Sequence, residues 1–94
     1  MARRTPSSTE VQQALKTFPQ YVKTFIKPTS AQVAELGDRV CTAFDEGQSF
    51  AQVKATGLEM VTQVPKTTVL PGGADWVVRT IVTLYCPGHA PKLV

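Results

Sequence analysis

Cysteine is scarce in this chain and histidine scarcer: Cys41, Cys86 and His89 are all there is of either among 94 residues. A structural zinc site takes four such ligands, so that class is excluded and neither metal nor cofactor is expected. A nucleophilic cysteine needs an exposed thiolate, a base within reach and a group that orients the base. Only His89, three residues past Cys86, offers itself as that base, and the sequence shows no orienting partner. No enzymatic constellation is therefore expected, and His89 reads as a solvated tail residue. Long apolar runs are missing too. The most apolar stretch, residues 76–86, contains Arg79 and is too short to cross a bilayer, so no membrane span is expected. The opening "MARRTPSST" carries charge with no apolar segment behind it and does not read as a signal peptide. A leader already removed and a chain that never had one both fit that observation.

Charge is modest, at 18% of residues, while hydrophobic residues make up 43%, the balance of a globular chain. The net +3 is unevenly spread. Residues 1–27 hold Arg3, Arg4, Lys16, Lys23 and Lys27 against Glu10, a net +4. Residues 28–59 hold Arg39 and Lys54 against Glu35, Asp38, Asp45, Glu46 and Glu59, a net −3. The remainder, with Lys66, Arg79 and Lys92 against Asp75, carries +2. A nucleic-acid binder gathers its basic residues on one face, often among aromatics. Basic residues on both sides of an acidic middle argue against that class. Glu35, Asp38, Asp45 and Glu46 read as a wet helix face rather than an acid–base pair.

Ninety-four residues make one domain, placed at 9–88 between a flexible polar tail (1–8) and a C-terminal tail (89–94). Four Ser/Thr-x-x-Gln boxes mark helix starts, at Thr9, Thr17, Thr29 and Ser49. The first helical stretch, 10–26, restarts at Thr17 with Pro19 in a first turn, where its missing N–H costs little. Val11, Leu15 and Phe18 form one apolar patch and Tyr21, Val22, Phe25 and Ile26 the next. A second helix, 30–46, puts Val33, Gly37, Val40, Cys41 and Phe44 on one face, with Gly37 suited to a close backbone approach and Gly47 to a left-handed stop. A third, 50–63, carries Phe50, Val53, Gly57, Met60, Val61 and Val64, with Met60 read as core. "KTTVLPGG" is a connector, its glycine pair too weak a signal for a phosphate loop. The last element, 74–86, is rich in β-branched residues that suit a strand. Asp75, Arg79 and Thr83 nevertheless fall in one stripe at helical spacing, so helix is preferred. The fold class that results is all-α, a compact bundle of four or five short helices.

Cys41 and Cys86 both fall on inward faces of different helices, as a bridging pair should. Their bond would close a loop of about 46 residues and contribute on the order of 4 kcal/mol in the chain-entropy model. It would also imply an oxidising compartment. Two buried free thiols are the competing reading.

Gly37-Asp38-Arg39-Val40-Cys41, then Asp45-Glu46-Gly47-Gln48-Ser49-Phe50, then Tyr85-Cys86-Pro87 resemble motifs of the small exported actinobacterial proteins grouped as domain of unknown function 732. The resemblance spans residues 10–87. It implies a compact helical domain with a Cys41–Cys86 bridge, found outside the cytoplasm of mycobacteria and their relatives, and it brings no activity or ligand with it. Two departures stand out: no leader is read here, and the connector "VPKTTVLPGG" is longer than usual. The expected function is a non-enzymatic exported domain that binds a protein or envelope component. The alternative is a structural or accessory virion protein of an actinobacterial phage, self-associating or held in a larger assembly. The first candidate for contact is an apolar patch of Tyr21, Phe25, Val69 and Leu70, with burial of the aromatics in the core as the favoured competing reading.

Overall fold

Helix starts in this chain are set by reciprocal side-chain caps, and the computed structural model, which describes residues 3–25 and 27–93, shows where they form. At Thr29 and Ser49 the hydroxyl accepts from the N–H of Gln32 or Gln52 at 3.2 Å, and the glutamine oxygen accepts from the cap N–H at 2.9 Å. The two boxes open α3 (Ser30–Asp45) and α4 (Phe50–Thr62). The first helix, α1 (Ser8–Ala14), is capped by Ser7 with Glu10 rather than by Thr9 with Gln12. Glu10 closes that box and also accepts from the Arg4 guanidinium at 2.7 Å, which leaves Thr9 inside the helix. No box forms at Thr17. Thr17 is the last residue of a 3-10 turn (Leu15–Thr17) and is itself in helical conformation, and its hydroxyl donates back to the Ala14 carbonyl.

Pro19 does sit in the first turn of a short α2 (Phe18–Tyr21), but the helix stops there instead of running to 26. Val22 is extended, and β1 (Val22–Lys23) pairs antiparallel with β2 (Thr68–Val69), Val22 facing Val69 and Lys23 facing Thr68. The Leu70 N–H adds a bond to the Tyr21 carbonyl at 2.8 Å. Gly73 makes this clasp possible, since a Cβ there would lie 2.6 Å from both the Tyr21 carbonyl oxygen and a Val69 methyl. Ile26, assigned to the second apolar patch, lies outside the described residues.

The last element is a helix, α5 (Gly73–Tyr85), preceded by Gly72 in the left-handed region. Its polar stripe is fastened along its length: Arg79 pairs with Asp75 at 2.7 Å, and the Thr83 hydroxyl donates to the Arg79 carbonyl at 2.9 Å. The opposite side, Val77, Val78, Ile81 and Val82, is buried against α3 and α4. Val40, Cys41, Phe44, Val53, Val78 and Val82 have no measurable exposure and form the centre of the core. Cys41 and Cys86 are bonded there, S–S 2.10 Å, with Cα atoms 6.1 Å apart, inside the span a bridge requires. The molecule is an all-α bundle of short helices stapled by one disulfide.

Both ends correct the expected tails. Beyond Cys86 the chain continues as a 3-10 segment (Pro87–Lys92) that buries His89 and is followed by a buried Leu93. At the other end, the Arg4 N–H donates to the Tyr85 carbonyl at 2.7 Å, while Arg3 reaches α3. Residues 89–93 are thus part of the packed domain, and the 3–7 segment is fastened to it.

Candidate functional site

The apolar stripe of α4 outruns its cover. Phe50, Val53 and Gly57 are buried, Met60 and Val61 only half so, and Val64 is 38% exposed. Met60, read as core, therefore sits at the edge of a groove. That groove measures about 430 Å³, within the usual range for small-molecule or side-chain pockets. Its deepest surface comes from Leu15, Val33, Val77, Ile81 and Leu84, all buried. Phe18, Leu36, Met60, Val61 and Trp76 line it half-buried. The segments carrying Thr24 and Pro28 on one side, and Val64, Pro65 and Thr67 on the other, also border it. They are tied together by the Thr67 hydroxyl, which donates to Thr24 Oγ1 at 3.0 Å. Glu35 is the one charged residue among those lining it. Trp76 is held in place by Tyr21, whose ring stacks on it with centroids 5.2 Å apart, and by Phe18 at 6.1 Å.

Three of the four anticipated contact residues come together. Tyr21, Val69 and Leu70 are half-buried in and around the small ribbon. Phe25 alone stands out, at 82% exposure. Residues of the groove were missed because it lies between elements. The one signal in the sequence is that the α4 stripe continues to Val64, past the point where a neighbour covers it.

A second cluster joins the two ends of the chain to α3. His89, 2% exposed, packs on the Phe44 ring, and its Nε2 lies 2.6 Å from Asp45 Oδ1. The other oxygen of Asp45 accepts from Arg3 at 3.0 Å, and Arg3 also donates to Asp38 and Thr42. Bonding to His89 first and to Arg3 second holds the Asp45 carboxyl below its ordinary value, and the same two carboxylates raise Arg3. Lys92 donates to the Phe44 carbonyl at 3.0 Å. All four carboxylates of the acidic α3 face, Glu35, Asp38, Asp45 and Glu46, are exposed, and Asp38 and Asp45 also pair with Arg3. His89 does have an orienting carboxylate, which residue spacing did not reveal. The thiol it would serve is locked in the bridge, and His89 Nδ1 is buried with no hydrogen-bond partner among the described residues. Among the described residues no three His, Cys, Asp or Glu side chains are grouped to hold a metal, and no helix is long and apolar enough to cross a membrane.

No family model, no curated protein and no solved structure matches this chain.

Proposed function

We propose that the chain is a non-enzymatic binding domain that works outside the cytoplasm, holding an apolar part of a protein or envelope component in the groove beneath Thr24 and Thr67. The observation that carries this reading is the groove itself, an open and largely apolar hollow. The residues best suited to chemistry are occupied elsewhere, both cysteines in the bridge and His89 in a buried contact. The bridge supports an oxidising compartment. Kinship with the domain of unknown function 732 proteins belongs to the same proposal and rests on the 37–41, 45–50 and 85–87 motifs.

Trp76 is the sole tryptophan and borders the groove, so its emission reports occupancy. Titration with dodecyl maltoside below its critical micelle concentration should give a saturable change. Val64→Arg, placing a charge at a part-exposed lining position, should weaken binding by about tenfold, or roughly 1.4 kcal/mol. An emission that does not saturate, or one indifferent to Val64→Arg, would remove the groove from the account.

A further inference from the structure

The groove carries a projecting aromatic ring at its own edge. Phe25 is 82% exposed, although Thr24 just before it and Pro28 just after it both border the groove. A phenyl ring left in water forgoes the burial that normally holds such side chains inside. The Thr24 hydroxyl accepts from Thr67 at 3.0 Å, which fastens the residue before Phe25, and the Lys27 side chain donates to Gln12 at 3.4 Å.

Charge identifies what this edge fits. The Lys66 ammonium lies 5.4 Å from the centroid of the Phe25 ring, and exposed Lys23 and Lys27 flank the ring in sequence. The groove has Glu35 as its charged lining residue, exposed and without an ion-pair partner among the described residues. An aromatic knob with a cationic collar therefore sits beside an apolar hollow with an anionic edge, both on one side of the molecule.

We infer that the occupant of the groove is a second copy of this chain, each copy inserting Phe25 into the groove of the other while Lys66 meets Glu35 across the contact. The inference rests on the groove being a binding site, as proposed above. Because knob and hollow adjoin, one two-fold axis satisfies both at once, and the pairing closes at a dimer instead of propagating. The ion pair sits at the rim, where it sets register and salt dependence more than affinity.

Sedimentation equilibrium of the full chain, from low micromolar to millimolar concentration at low salt, tests this. The average mass should climb from 10.2 kDa towards twice that value. Phe25→Ala, at an exposed position, should leave the melting temperature unchanged at low micromolar concentration, where the chain is monomeric, and weaken association by more than about tenfold. Glu35→Lys and Lys66→Glu should each weaken it, and the two together should restore it. A chain that stays monomeric throughout, or a dimer that ignores Phe25→Ala, overturns the inference. So does a monomer whose Trp76 emission shifts on Phe25→Ala, because Phe25 would then fill its own groove. The dodecyl maltoside titration separates the two claims: a monomer that still binds the probe loses only the second copy as occupant, whereas one that does not bind it loses the groove reading as well.

Discussion

At position 37 the absence of a side chain is what lets Tyr85 pack on α3. A Cβ there would lie 2.7 Å from Tyr85 Cδ2 and 2.8 Å from Cγ, too near the root of the ring for a small swing to relieve. Gly37→Ala gains roughly 1 kcal/mol of helix propensity, but overpacking costs about 1–3 kcal/mol, so the net change should be destabilising. Urea unfolding measures it, and pairing Gly37→Ala with Tyr85→Leu should recover part of the loss. The spacing of apolar residues foretold a close approach at Gly37, though of a backbone; which neighbour arrives is decided by tertiary packing. Asp45 supplies the pH dependence at this scale. Its carboxyl is held below the ordinary 3.8 by His89 and then by Arg3, so it adds stability above that value. The contribution fades as pH falls through the depressed folded value. Between pH 5 and pH 2 the wild type should therefore lose more stability than Asp45→Asn, as followed by thermal melts. Equal losses would show that the contact of Asp45 with His89 and Arg3 contributes nothing.

At the scale of elements, caps that form should matter and apparent caps that do not form should be silent. Thr29→Ala and Ser49→Ala should each cost about 1 kcal/mol, because each leaves a helix-end N–H without its side-chain partner. Thr9→Ala and Thr17→Ala should stay within about 0.5 kcal/mol, since neither hydroxyl caps a helix. Chemical denaturation of the four variants decides it. The helices α3, α4 and α5 were legible because their apolar positions recur with helical period and two of them begin at a working box. The stretch after Tyr21 was not. Tyr21, Val22 and Phe25 mimic a helical face, but Val22 is drawn into a two-residue ribbon by Val69 and by the backbone that Gly73 admits. A strand of two residues has no alternation to read. The C-terminal segment hid for a similar reason, because its burial depends on Asp45 and Phe44, 44 and 45 residues earlier in the chain.

Across the whole molecule, the bridge and the groove are two sides of one design. The Cα radius of gyration, 12.2 Å, is close to the roughly 12 Å expected for a chain of this length, so the hollow is not a symptom of a loose fold. Core residues could be named from periodicity. The groove could not, because it exists only where the Leu15–Thr17 turn, α2, α3, α4 and α5 converge without filling the space between them. What holds that convergence is the tie between the middle of α3 and the end of α5. Replacing both cysteines with alanine should cost on the order of 4 kcal/mol, a large part of a stability of about 5–15 kcal/mol. The most direct measurement is the intact mass of the native protein, unfolded in the presence of iodoacetamide without prior reductant. The mass should be unchanged, and should rise by two carbamidomethyl groups only after reduction. Uptake of both groups without reductant would contradict the bridge, and with it the proposed extracytoplasmic placement and the scaffold of the groove.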